Sequence, residues 1–287
     1  MTNGRPSRKG MHNAKSNDKS GRNIKSDSFH TILSTNSLNK EKKREVYSRL
    51  IPTELWELFN LQKDLRDENG NDLLILNCPE DSNLAEMRLF HKHGFQDPVL
   101  YGQITDTING QIHVLLYILN DPSSMRFNVD RMPDGSSTRF GILQRNIEAE
   151  LEAMRYGLAP GQTRRGLRLL GAAIDAFEDF VSSLGHDIYF VEPLYYHNAI
   201  IFESYGFRYS KGRRLMERIQ TGFAPEEDLY KKLDGSTPFR EPQAAKSIRL
   251  RSWAIHDNIM GEPFTEATMY KQIGNPGQLN TCKECTW

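Results

Sequence analysis

The segment between Pro160-Gly161 and Gly185 constrains the fold more than any other. Leu167, Leu170, Ile174, Phe177, Val181 and Leu184 recur at spacings of three and four. A helix over 163–184 therefore carries one apolar stripe that must be buried. Gly185 supplies its C-terminal cap. Asp187-Ile-Tyr-Phe-Val191 follows at once as a short apolar run of strand type, closed by Pro193. A helix that feeds directly into a buried strand points to a layered α/β or α+β domain.

The start of that helix is chemically unusual. Leu158-Ala-Pro-Gly-Gln-Thr-Arg-Arg-Gly-Leu-Arg168 places three arginines and a glycine there, with no acid. Helix N-termini normally attract acids, because their N–H groups are unpaired and the dipole is positive. Arginines at this place predict a seat for a phosphate or pyrophosphate. The bland alternative is a solvated helix start.

Composition narrows the class. The chain has 287 residues and formal net charge zero, with 37 basic and 37 acidic side chains. That length suits one large domain with extensions, or two small ones. The balance of charge argues against nucleic-acid binding. No apolar run approaches the roughly 18 residues of a membrane span, and no secretory h-region stands at the start. The three cysteines, Cys78, Cys282 and Cys285, suggest a reducing compartment over a disulfide scaffold, so a cytoplasmic protein is expected. Cys78 reads as a buried thiol. Cys282-x-x-Cys285 resembles half a zinc site, but no second pair completes it, so no metal is expected.

The remaining elements follow from local pattern. Residues 1–40 read as a disordered basic tail and 41–274 as the folded domain, with an insertion at about 208–250. Residues 275–287 read as a loose C-terminal tail. The apolar positions of 41–68 predict helix, divided at Pro52. Residues 72–77 predict a strand. Pro79 to Ser82 supply N-cap chemistry for a helix over 83–93, ended by Gly94. Residues 99–107 and 111–119 flank Asn109-Gly110, a strong hairpin signal. Residues 121–138 predict a loop. Residues 149–158 favour helix by composition, yet Pro160-Gly161 cut them short and their alternation permits a strand, which is the reading adopted. Residues 198–205 predict a short helix, and 247–255 and 265–273 predict late strands. The sum is a mixed, mostly antiparallel central sheet flanked by helices.

Residues 72–273 resemble the GCN5-related N-acetyltransferase superfamily. In that family a strand ends in hydrophobic-x-Pro-x-x-[Arg/Gln]-x-x-Gly-x-[Gly/Ala], which cradles the acyl-CoA pyrophosphate. Leu158, Pro160, Thr163, Gly166 and Arg168 fall at those spacings. Thr163 replaces the Arg or Gln, Gln162 lies one place away, and Arg168 replaces the final small residue. The strand 188–191, the helix from Asn198 and Gly206-Phe207 resemble the family's next motif. Glu152-x-x-Arg155-x-x-Leu158 is similar to a pattern in the branch of N-acyl amino acid synthases and autoinducer synthases.

The resemblance implies acyl transfer from a thioester to an amine. The donor is acetyl-CoA or a longer acyl-CoA, or an acyl carrier protein. The acceptor is a small primary amine or an amino acid. Two parallel strands splay apart in this fold, and the thioester lies in the gap. Backbone N–H groups of Thr163, Arg164, Arg165, Gly166 and Leu167 would hold the pyrophosphate, with charge from Arg164, Arg165 and Arg168. Leu158 or Ala159 would offer an N–H to the oxyanion. Asn198 would contact the donor. Glu152 would take the amine proton, with Glu150 on the same strand face as an alternative. Tyr205, seven residues after Asn198, would protonate the thiolate, although counting back from Gly206 gives Phe202. Tyr195 and Tyr196 are alternatives. Two other readings are a non-catalytic relative that keeps the fold, and an interaction protein whose residues 208–287 hold a partner.

Overall fold

The computed structural model describes residues 30–287 except 140, 142 and 278. The basic stretch from Met1 to Asp27 lies outside the described residues. Helices α1 (Ile32–Asn36), α2 (Lys40–Ser48) and α3 (Thr53–Leu58) come first. Four strands follow: β1 (Leu74–Asn77), β2 (Leu84–Leu89), β3 (Leu100–Asp106) and β4 (Ile112–Leu119). Then come α4 (Ile147–Arg155), α5 (Leu170–Ser183), β5 (Ile188–Val191), α6 (Tyr196–Ser204) and β6 (Arg208–Lys211). The chain finishes with α7 (Arg213–Gly222), α8 (Asp228–Lys231), a 3-10 turn (Pro242–Lys246), α9 (Ile248–His256) and β7 (Thr268–Gln272).

The fold is a mixed α+β domain on a seven-stranded sheet of order β1-β2-β3-β4-β5-β7-β6. Its neighbouring strands are antiparallel except β4 and β5, which run parallel. β1 to β4 form a meander with one face covered. In β2, Ala85, Met87 and Leu89 point into the core while Leu84, Glu86 and Arg88 alternate outward. α2 and α5 cover the inner face, where Tyr47 stacks on Phe180 and Tyr117 meets Phe177 edge-on. The predicted stripe is borne out for Ile174, Phe177, Val181 and Leu184, all buried. A second, smaller cluster joins Phe127, Val129, Ala149, Ala153, Leu158, Phe239 and Trp253.

Several local expectations are corrected. The helix expected over 83–93 does not form: Leu84–Leu89 is strand β2; period-two burial outweighed the cap signal, and Ser82 instead closes a turn onto the Leu84 N–H. Residues 147–155 form helix α4, not a strand. Asn146 caps it, Glu148 and Glu150 sit in its first turn and Arg155 in its last, as the dipole favours. Residues 248–256 form helix α9, not a strand, with Ser247 as the cap. The helix expected over 163–184 begins only at Leu170.

Both expected tails are also corrected. Ile32 in α1 is fully buried, and the Asp106 carboxylate accepts from the Ile32 and Leu33 N–H groups at 2.7 and 2.9 Å. The folded part therefore begins before residue 41. Residues 275–287 pack against α6 and α9. Thr281 donates twice to the buried Glu203, and Ser247 bridges Thr286. Gly206 permits this docking. It has φ +86°, and a Cβ there would stand 2.7 Å from the Pro276 carbonyl oxygen. Gly206→Ala is expected to destabilise the protein by about 1–3 kcal/mol, from strain and displaced backbone together. Urea unfolding of the variant against the wild type measures it.

Candidate functional site

The expected pyrophosphate seat over Thr163 to Leu167 does not form as a helix start. This stretch is extended and pairs with the loop after β4. Phe127 N–H donates to the Thr163 carbonyl, Asp121 N–H to the Arg165 carbonyl, and Gly166 bridges Asn120. The Arg165 N–H is taken by Ser124 Oγ. Arg164 is buried. Its Nε lies 2.8 Å from Asp97 Oδ2, it donates to the Ser124 carbonyl, and it covers the Phe95 ring. Asp97 also receives Arg126 at 3.0 Å. Arg164 is thus a structural cation. Arg165 lies over the Tyr156 ring, 4.4 Å from its centroid. Leu158 and Ala159 are buried; the Ala159 N–H goes to Gln162 Oε1 and the Leu158 carbonyl accepts from Trp253. Neither is placed as an oxyanion donor.

The helix start that does exist lies at Leu170. No side chain caps it, and its first turn holds no acid. Arg168, exposed and at φ +60°, precedes it. The chain here reads Arg168-Leu-Leu-Gly171-Ala-Ala173. The [Arg/Gln]-x-x-Gly-x-[Gly/Ala] part of the expected pattern also fits here, five residues after the register read from the sequence, while its hydrophobic-x-Pro part would fall on Thr163 and Arg165 and is not met.

Tyr205 meets this turn. A Cβ on Gly171 would lie 3.6 Å from Tyr205 Cε1 and 3.8 Å from its hydroxyl oxygen. Tyr205 is 37% exposed, and its carbonyl accepts from Lys271 Nζ at 2.9 Å. Asn198, seven residues earlier on α6, shares its helical face, about 10 Å away along the axis. Tyr196 is buried, and burial also holds the Tyr195 hydroxyl protonated well above the usual range.

β4 and β5 part after two residue pairs, and beyond the far end of β4 Asn120 bridges Gly166 on the approach to α5. They pair only through His113 with Phe190 and Val114 with Val191. Leu115 to Leu119 continue half-buried past the end of β5, so the two strands open as a wedge there, with Tyr117 turned into the core on Phe177. His113 stands at its apex. Its Nε2 is buried and 3.5 Å from Glu192 Oε1, with no hydrogen bond among the described residues. Burial lowers its pKa, against the pull of Glu192, so it is a neutral imidazole at pH 7. The sequence offered no signal for this residue, because only the register of β4 on β5 puts it at the apex.

Glu150 and Glu152 are divided by the helix they share. Successive alternate residues on a helix face apart, not together. Glu152 is exposed. Glu150 is 2% exposed; it takes Arg145 Nε at 2.9 Å and His256 Nε2 at 3.1 Å. Burial raises its pKa, and the bonds and charges of His256 and Arg145 outweigh this, leaving it lowered. α9 carries a second buried pair one turn away, Ser252 Oγ with His197 Nδ1 at 2.8 Å.

The cysteines also differ from expectation. Cys282 and Cys285 are joined as a disulfide, and Cys78 is a half-buried free thiol. Among the described residues no group of three His, Cys, Asp or Glu is arranged to hold a metal ion, and no helix is long and apolar enough to cross a membrane.

No family model matches the chain, and no curated protein or solved structure matches it.

Two outcomes follow from these groups. Asp97→Ala leaves the buried Arg164 without a carboxylate, while Arg126 keeps Asp130 at 2.8 Å, and is expected to cost about 3–5 kcal/mol; Arg168→Ala at the surface changes stability by less than about 0.5 kcal/mol. Denaturant titration distinguishes them. The second outcome concerns pH. Burial first, and then the charge of His256, hold the pKa of His197 down at about 3 from 6.5. Below pH 6.5 the unfolded chain binds a proton that the folded chain refuses. Stability therefore falls by about 1.4 kcal/mol per pH unit as pH drops through this window. His197→Gln is expected to flatten that slope between pH 6.5 and 5.

Proposed function

We propose that this protein is an N-acyltransferase of the GCN5-related kind, moving an acyl group from acyl-CoA to a primary amine. The observation that carries the reading is the parting of β4 from β5 after two residue pairs, followed across the Asn120–Gly166 bridge by the uncapped start of α5. The strand order, with one parallel junction, supports it, as does the Arg168-x-x-Gly171-x-Ala173 register.

In this reading the donor's pyrophosphate sits on the free N–H groups of Leu170, Gly171 and Ala172, with Arg168 adding charge. The pantetheine runs along the unpaired edge of β4, and the thioester lies in the wedge. A strand N–H there polarises the carbonyl and receives the oxyanion. The base moves from Glu152 to His113, because a neutral imidazole at the apex can accept the amine proton while Glu152 is exposed on α4. The amine attacks the carbonyl carbon, the tetrahedral intermediate collapses, and the C–S bond breaks. Tyr205 gives the departing thiolate its proton. A carrier-protein donor remains a variant of this scheme, with the same pantetheine arm.

Calorimetric titration with acetyl-, octanoyl- and palmitoyl-CoA tests the seat. Binding is expected, and Arg168→Ala is expected to weaken it by about 1–3 kcal/mol, while Arg165→Ala has a smaller effect. Absence of binding to all three refutes CoA as the donor. Release of free CoA on adding amines tests the chemistry. His113→Gln is expected to lower kcat by about a hundredfold or more with donor affinity kept. Loss of turnover in Glu152→Gln instead returns the base to α4. CoA binding without thiol release under any amine identifies a non-catalytic binding module.

A further inference from the structure

Arg251 on α9 is a buried cation without an anion. It is 4% exposed, and among the described residues no carboxylate lies within ion-pair distance. Its guanidinium is held by neutral groups. Nε donates to the Ala245 carbonyl at 3.0 Å, Nη2 donates to the same oxygen, and Nη1 donates to Gln220 Oε1 at 2.8 Å. The Phe223 ring stands 4.9 Å from its carbon. Desolvating a charge without a counter-ion is costly, and neutral acceptors offset that only in part.

The remaining contact of Arg251 Nη1 is with Cys282 Sγ, at 3.1 Å. Cys282 is 2% exposed and Cys285 is half-buried, so the two sulfurs of the disulfide differ in access. Two groups that can ionise face Arg251, the Tyr196 hydroxyl and the Cys282 sulfur; burial holds the Tyr196 hydroxyl protonated, which leaves the sulfur as the place for the missing charge. We propose that Cys282–Cys285 is a thiol–disulfide exchange site, in which Arg251 is poised to hold Cys282 as a thiolate. The inference is independent of the acyl-transfer reading.

The substrate class is a dithiol. Its thiolate attacks the more accessible Cys285 sulfur. The Cys282–Cys285 bond breaks, and its electron pair goes to Cys282, which leaves as a thiolate beside Arg251. A mixed disulfide now joins Cys285 to the reductant. The reductant's second thiolate attacks its own sulfur in that bond and releases Cys285, which takes a proton. The reductant ends as a disulfide, having given two electrons. A stabilised leaving thiolate speeds the first step, and stabilising the reduced form makes the pair more oxidising.

The consequence is local and structural. The disulfide sits in the strap of residues 275–287 that lies over α6. Thr281 N and Oγ1 reach Glu203 at 2.7 Å each, and Thr286 N–H donates to the Lys246 carbonyl at 3.0 Å. Trp287 meets the His197 ring edge-on at 6.1 Å. Opening the disulfide removes the cross-link between these two anchor points.

Two measurements on the full chain test the site, both in a Cys78→Ser background. In the first, Cys285→Ser leaves Cys282 as the sole thiol, and its ultraviolet thiolate absorbance is followed against pH. A thiolate largely formed at neutral pH is expected; titration like that of an ordinary free cysteine overturns the proposal. In the second, the intact pair is equilibrated in mixtures of reduced and oxidised dithiothreitol and scored by alkylation and mass. The wild-type pair is expected to open at a dithiol-to-disulfide ratio on the order of tenfold lower than Arg251→Gln. Equal ratios overturn it. If Arg251→Gln fails to fold, the thiolate titration decides alone.

Discussion

Asp97 clamps two stretches of chain whose backbones also pair. It takes Arg126 from the loop after β4 and Arg164 from the approach to α5, both largely out of water. The long excursion between β4 and α5 is thereby pinned back against the edge from which it left. The crossover helix can then start beside the strand it follows, as a parallel β4–β5 pair requires. The same clamp consumes the most conspicuous cation of the arginine cluster. Arg165 and Arg168 face solvent, and Arg168 stands just before the helix start.

The layered fold was legible where burial is one-sided. The stripe of α5, the Asn-Gly hairpin and the strand at 188–191 each carry a period or turn that physics reads directly. The errors fall where two signals compete. At 83–93, cap-forming residues masked the alternation of Ala85, Met87 and Leu89. At 149–158, the break at Pro160-Gly161 and the alternation competed with helix composition, and the helix prevailed over 147–155. At 247–255, residues Arg251 to Ile255 are buried in succession, so no face stands out in the sequence.

The candidate site was less legible, because its parts are joined by tertiary register. Tyr205 was found from its spacing to Asn198, and it does lie against the first turn of α5. Leu158, Pro160 and Gly166 fit the expected spacing, yet the chain there pairs with the loop after β4, and the next helix start lies at Leu170. His113 carries no local signal at all. It matters only because Val114 is the last residue of β4 to pair with β5.

The position of β7 has a consequence for how the chain assembles. The meander from β1 to β4 pairs neighbours in sequence and closes short loops. β5 has no such partner on its other side until β7, with Ile188 waiting for Gln272, and Glu203 in α6 waits for Thr281 across 78 residues. Loop closure over such spans is slow relative to a hairpin. The half of the sheet that bears α6 and Tyr205 is therefore completed late in folding, after the meander. A truncation or slowed docking at β7 leaves an ordered N-terminal half with an unfinished edge at β5, a surface suited to pairing with another chain.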